Sequence, residues 1–102
     1  MKERKGYYTI GVVSELFHVT PQTLRLYEEK GLISPSRSRG NKRLYDDNDL
    51  ERLELVLRLT RELGINLAGV EVILNMSRRM TELQRRVEEL EAELVKFRHE
   101  GF

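Results

Sequence analysis

The sequence predicts a mainly α-helical fold, in which a small domain of short helices and one hairpin is followed by a single long terminal helix. Three observations predict it. Both prolines, Pro21 and Pro35, and the punctuating Gly31 and Gly40 fall in the first half of the 102 residues, so that half is built from short elements and turns. Past Asp49 the composition favours helix. From Ile73 the apolar positions repeat with strict heptad spacing. A chain of this length holds one small core, or one domain with an appendage, and leaves no room for a multidomain enzyme.

Taken in order, Tyr7-Tyr8-Thr9 reads as a brief strand, and Thr9 caps a short helix whose apolar side is Ile10, Val13, Leu16 and Phe17. His18-Val19 breaks that pattern. Thr20 then offers a capping hydroxyl, and Pro21 stands at the first helical position, where its missing N–H removes no bond. A second helix, Pro21 to about Lys30, follows; Gly31 occupies the place of a residue with positive φ, and Leu32-Ile33 pack back on the helix pair. Two short helices joined by a tight turn form a helix-turn-helix candidate.

Ser36 to Tyr45 carries Arg37, Arg39, Lys42 and Arg43 around Gly40-Asn41, a dipeptide suited to the positive φ values of a tight hairpin. A basic hairpin in this position is a wing. Asp46, with Asp49 three residues on, opens a longer helix whose stripe of Leu50, Leu53, Val56, Leu57 and Leu63 ends before Gly64. Asn66 caps the next helix, Leu67 to about Met76, with Val70, Ile73 and Leu74 inward.

The heptad runs Ile73, Met76, Met80, Leu83, Val87, Leu90, Leu94 and Phe97, in alternating steps of three and four. A seam at that spacing is narrow, and charged flanks such as Arg85, Arg86, Glu88 and Glu89 leave it needing another helix as cover. Residues 77 to 99 extend about 34 Å as a helix, farther than the preceding domain can cover. Met76, Met80, Leu83, Val87, Leu90, Leu94 and Phe97 are therefore assigned to dimerisation. The expected organisation is residues 1–76 as a winged helix-turn-helix domain and 77–102 as a coiled-coil dimerisation helix.

Flanking charge leaves the strand direction open. With Met80 at position a, antiparallel pairing sets Arg79 against the partner's Glu100 and Arg86 against the partner's Glu93. Parallel pairing sets Arg86 against the partner's Glu91 and Glu93 against the partner's Arg98, which is equally attractive.

Charge is divided along the chain. The 18 Lys+Arg and 17 Asp+Glu nearly cancel to +1. Residues 1–45 nevertheless hold 9 basic and 4 acidic side chains (+5), and residues 46–102 hold 9 and 13 (−4). The basic half points to a polyanion contact. Cysteine is absent, which excludes disulfides, thiolate metal sites and a cysteine nucleophile and is compatible with a reducing cytoplasm. No apolar run approaches the roughly 20 residues of a membrane span. Met1-Lys2-Glu3-Arg4-Lys5 does not lead into a signal-peptide core. The chain is expected to be soluble, cytoplasmic and without membrane contact.

An enzyme reading has little to rest on. His18 sits at the helix-turn-helix corner and His99 far along the coil, with no serine or carboxylate pair at a catalytic spacing. No phosphate-binding glycine loop or metal-ligand cluster is present; Gly64 and Gly69 read as helix punctuation, and no cofactor is expected.

A nucleic-acid reading has a definite constellation. The second helix offers Gln22, Thr23 and Arg25 near its N-terminal half, the part of a recognition helix that reaches base edges in the major groove. Arg suits the O6/N7 edge of guanine and Gln the N6/N7 edge of adenine. Leu24 reads as core, Tyr27 as core with a hydroxyl directed to phosphate, and Thr20 as a cap that also touches the DNA backbone. Arg37, Arg39, Lys42 and Arg43 follow the phosphates, adding salt-dependent, sequence-blind affinity.

These residues carry a resemblance. Tyr8-Thr9-Ile10-Gly11, Thr20 through Glu28, Gly31-Leu32-Ile33 with Pro35 and Arg37, and Arg43-Leu44-Tyr45 before Asp49-Leu50 resemble the DNA-binding domain of the MerR family. Pro21-Gln22-Thr23-Leu24-Arg25, Gly64 through Val70 and the Leu83–Glu91 coil are similar to its HspR branch of heat-shock repressors. The resemblance implies a winged-helix dimer joined by an antiparallel coiled coil and bound to an inverted repeat in double-stranded promoter DNA. It implies recognition-helix contacts for Thr23, Arg25 and Tyr27, wing contacts for Arg43 and Tyr45, and a second-wing contact for Arg61. Many MerR relatives carry two adjacent tyrosines where this chain has Leu26-Tyr27, which removes one implied phosphate contact.

The chain given ends at Phe102 without the metal-binding cysteines or drug-binding domain that follow the coil in many MerR activators, so neither is expected. The resemblance instead implies a DnaK-type chaperone as co-repressor. Two alternatives stand beside a repressor of chaperone genes. One is a GlnR-like nitrogen regulator, because Arg37-Ser38, Gly40-Asn41 and Arg43-Leu44 resemble that wing too; the other is a coiled-coil interaction module that binds no DNA.

Overall fold

A computed structural model of the chain describes residues 6–100. The reading of Met1–Lys5, and the basic arm formed by Lys2, Arg4 and Lys5, lie outside the described residues. The chain divides into two compact units, one through Val70 and one from Glu71 onward.

The first unit contains α1 (Ile10–Phe17), α2 (Pro21–Glu29), a hairpin of β1 (Ser36–Arg37) and β2 (Arg43–Leu44), α3 (Asp47–Leu57), and the start of α4 (Leu67–Glu100). Side chains fix where each helix begins. Thr9 Oγ1 accepts the Val12 N–H at 3.4 Å, Thr20 Oγ1 the Thr23 N–H at 3.1 Å, and Asn66 Oδ1 the Gly69 N–H at 2.8 Å. Asp46 and Asp49 close a reciprocal capping box, with bonds of 2.8 and 2.9 Å. Caps of this kind are worth about 1 kcal/mol each.

The turn between α1 and α2 is held by His18 in the left-handed region at φ 56° and by the Ser14 carbonyl, which accepts the N–H groups of His18 and Val19. Ser14 Oγ returns a bond to the Val19 carbonyl. After α2, Gly31 takes φ 77° and the Leu32 N–H reaches the Tyr27 carbonyl at 2.9 Å, turning Leu32 and Ile33 inward. Val13, Leu24, Leu53, Val56 and Val70 have no exposed surface, and each such side chain contributes about 1.5–3 kcal/mol through burial.

Four local expectations change. Tyr7-Tyr8-Thr9 forms no strand: Tyr8 makes a single antiparallel bridge to Tyr45, with N···O distances of 2.8 and 2.9 Å. In the hairpin, Asn41 takes positive φ (64°) and Gly40 does not, because the connection is a longer turn in which Ser38 bonds Lys42 and Asn41. Leu16 is 58% exposed, leaving Val13 as the buried residue of α1. α3 passes into a π-helical turn, Arg58–Glu62, where the Leu63 N–H reaches back five residues to Arg58. That wider turn takes Leu63 off the apolar stripe, 63% exposed, while Leu59 is buried.

The second unit is helix. α4 runs without a break through Met76, so the helix expected to stop there continues to Glu100. Every residue from Asn75 to Glu100 is exposed, the seam residues included, from 47% at Val87 and Leu90 to 72% at Phe97. Glu89 pairs with Arg85 at 2.7 Å and Arg86 at 3.2 Å within the helix. The Arg86 hydrogen bond, aided by Arg85, holds the Glu89 carboxyl below its ordinary pKa. No helix among the described residues is long and apolar enough to cross a membrane.

Candidate nucleic-acid interface

Helical periodicity sorts the side chains of α2 into two faces. Leu24 and Tyr27 point into the core, while Gln22, Arg25, Leu26 and Glu29 are exposed at spacings that share one face. Thr23 is half-buried, and its hydroxyl lies 3.0 Å from that of Thr20. Gln22 and Arg25 are thus presented together, and Arg25 has no ion pair among the described residues.

The hairpin stands beside this face. β1 and β2 pair antiparallel with Ser36 opposite Leu44 and Arg37 opposite Arg43. The two arginines converge on Glu28 of α2: Arg43 Nε donates to Oε1 at 2.6 Å and Arg37 Nη2 to Oε2 at 3.2 Å. Arg25, Glu28, Glu29, Arg37 and Arg43 line the cleft between helix and wing. Arg39 and Lys42 are exposed near the wing tip and enter no ion pair among the described residues.

Two of the residues singled out by sequence, Tyr45 and Arg61, are placed differently from the expectation. Tyr45 is not on the wing surface: its side chain is 0% exposed, and its hydroxyl has no hydrogen-bond partner among the described residues. A side chain so enclosed cannot reach DNA without unfolding its surroundings. Burial pushes the Tyr45 phenol up from its ordinary pKa; the Arg43 and Arg37 charges oppose this, and Glu28 and Asp49 reinforce it. Tyr27 is 6% exposed, and its ring lies in the core as the sequence reading has it. Arg61 spends its guanidinium on the chain itself, donating through Nη1 to the Phe17 carbonyl at 2.9 Å and through Nη2 to the His18 carbonyl. It thereby caps the C-terminal end of α1, where a cation also suits the helix dipole.

Residues 8–77 match the family model described as MerR HTH family regulatory protein. The chain belongs to the MerR family. This MerR-family chain is 44% identical over 94 residues to the heat shock protein HspR of Streptomyces coelicolor, covering 92% of this chain and 62% of that protein. It is 37% identical over 75 residues to the transcriptional regulator GlnR of Bacillus anthracis, covering 74% of this chain and 57% of that one. It therefore spans less than two thirds of the length of these curated relatives. The fold is similar to that of HiNmlR, a MerR family regulator lacking the sensor domain and bound to promoter DNA, with TM-score 0.61, 20% identity, and coverage of 91% of this chain and 76% of that one.

Sequence reasoning missed two features of this MerR-family surface. Leu26 is 38% exposed on the outer face of α2, beside Arg25. Glu28 is the hub of the wing, and a signal for it existed. It lies in the last turn of α2, where the helix dipole disfavours an acid and no basic residue balances it. Glu29 shares that position and stays exposed, so the signal alone does not single out Glu28.

Proposed function

We propose that this chain is a sequence-specific DNA-binding transcriptional regulator that represses heat-shock or chaperone genes as a homodimer on inverted-repeat promoter DNA. The observation that carries this reading is the joint presentation of Gln22 and Arg25 on one face of α2, with the arginine-bearing wing alongside. In it, Gln22, Thr23 and Arg25 face base edges, Thr20, Arg37, Arg39 and Lys42 serve the phosphates, and Arg43 ties the wing to α2. Tyr27 packs in the core with its hydroxyl directed to phosphate, and Arg61 acts from behind by fixing the corner of the helix-turn-helix.

The exposed heptad seam supports a homodimer, since an unpaired stripe from Met76 to Phe97 would place seven large apolar side chains in water. An antiparallel arrangement, a boundary near residue 76, a cytoplasmic location and a DnaK-type chaperone as co-repressor belong to the same proposal. No catalytic role is assigned, because the relatives are regulators and not enzymes. A heat-shock target is preferred over nitrogen regulation because the match to HspR runs over 94 residues, against 75 for GlnR. Footprinting across a chaperone-operon promoter tests the reading: a protected inverted repeat supports it, and protection only at a nitrogen-assimilation promoter favours the GlnR-like alternative.

A further inference from the structure

Arg37 and Arg43 are directly opposed across the two-stranded ladder, a position in which like charges repel. Glu28 lies against both and neutralises one of the two charges. The two contacts differ. Arg43 is held at 2.6 Å with 22% of its side chain exposed, whereas Arg37 is held at 3.2 Å with 39% exposed and makes a second, weak bond to the Asn41 carbonyl at 3.4 Å. Arg25 stands one helical turn before Glu28 on the same cleft and is left unpaired among the described residues.

We propose that Glu28 is a positioning and specificity-determining residue of the DNA-binding surface, resting on the DNA reading above. Through Arg43 it holds the wing in register with the recognition helix. Through Arg37 it keeps a phosphate-seeking guanidinium partly neutralised in the free protein. Arg43 is the fixed arm, retained by Glu28 when DNA is bound. Arg37 is the exchangeable arm, which leaves the carboxylate for a phosphate. A carboxylate in the middle of the basic surface lowers sequence-blind affinity, so that binding depends more on the base-facing Gln22 and Arg25. The chemistry favours this division because an Arg bond to a phosphate is as well satisfied as one to a carboxylate, and the more exposed, longer contact is the easier to exchange.

The test uses the full chain, a duplex selected from a random pool by the unmutated protein, and a scrambled duplex of equal length. Glu28→Gln keeps the shape and removes the charge. It is expected to raise affinity for the scrambled duplex by about three- to tenfold and to steepen its salt slope by about 1.8, one added phosphate contact in each of two subunits as Arg43 is released. Affinity for the selected duplex should rise less, so the specificity ratio falls. Arg37→Gln should flatten the slope on both duplexes by about the same amount, whereas Arg43→Gln should lower affinity for the selected duplex most. A purely structural role predicts instead that Glu28→Gln lowers the melting temperature and weakens both duplexes in parallel, and that result overturns the proposal. So does an unchanged affinity and slope on the scrambled duplex. If the unmutated chain binds neither duplex in a salt-dependent way, the DNA reading itself fails and takes this one with it. The clamp is also read without DNA: the Arg43 Nε–H should exchange with solvent more slowly in the unmutated protein than in Glu28→Gln, and equal exchange refutes the fixed arm.

Discussion

Replacing Tyr45 with Phe separates packing from recognition at the wing. The ring is fully enclosed, and the hydroxyl at its end has no partner among the described residues. A buried hydroxyl left without a hydrogen bond costs about 1–3 kcal/mol, and Phe keeps the ring while removing that cost. Some of the gain is lost because the space the oxygen occupied is not refilled. The expected result is a protein more stable by about 1 kcal/mol, seen as a rise in melting temperature of about 4–8 °C for a domain of this size.

The alkaline limb gives a second reading of the same substitution. Burial raises the Tyr45 pKa above the ordinary 10.0, so the folded state holds the phenolic proton more tightly than the unfolded state does. Its contribution is fully present below pH 10 and is lost as pH rises from there through the folded pKa. Tyr45→Phe should flatten that loss. Thermal and urea unfolding at pH 7 and between pH 9 and about 11.5, at one fixed protein concentration, measure both effects. DNA affinity should stay within about twofold of the unmutated value, because the hydroxyl never reaches the surface. A large loss of DNA affinity with unchanged stability would refute the reasoning, since it would mean that the hydroxyl contacts DNA.

Three further outcomes are expected. Arg25→Ala should cost about 1–3 kcal/mol of operator affinity and relax preference at one base pair, whereas Lys42→Ala should weaken all sequences alike; equal losses on selected and scrambled DNA for Arg25→Ala would remove its base-reading role. Arg61→Ala should lower stability by about 1 kcal/mol, the scale of a charge-assisted bond at an exposed site, and binding restored by stabilising conditions such as lower temperature would mark it as support for the α1 corner. Leu90→Glu should give monomers in sedimentation that no longer bind tightly, because two half-sites about one helical turn apart need both subunits.

What the sequence made legible was local chemistry. Thr9, Thr20, Asp46 with Asp49, and Asn66 announce helix starts because a cap needs only a side chain and an N–H a few residues away. The heptad from Ile73 to Phe97 was readable for the same reason. Contacts that span the chain were not. Arg61 reaches carbonyls 43 and 44 residues earlier, and no pattern around it says so. Tyr45 has the surroundings of a wing residue, but its bridge to Tyr8, 37 positions away, places it inside. The π turn at Arg58–Glu62 changed the helical phase, which a fixed 3.6-residue period cannot represent. Basic residues were legible as a set, while their division into paired Arg37 and Arg43 and, among the described residues, unpaired Arg25, Arg39 and Lys42 required Glu28 to be seen in place.

The central claim is that a dimer of this MerR-family chain reads DNA sequence through α2 while its basic side chains grip phosphate. Titration of the selected and scrambled duplexes between 50 and 200 mM salt, with the mass of the complex measured alongside, tests it most directly. Two subunits each contributing Arg37, Arg39 and Lys42 make about six phosphate contacts, a slope near −5.4 and a loss of about two-thousandfold in affinity over that range. That slope is expected on both duplexes, with tighter binding to the selected one and two chains per bound duplex. Equal affinity for the two duplexes, salt-independent binding, or one chain per duplex would contradict it.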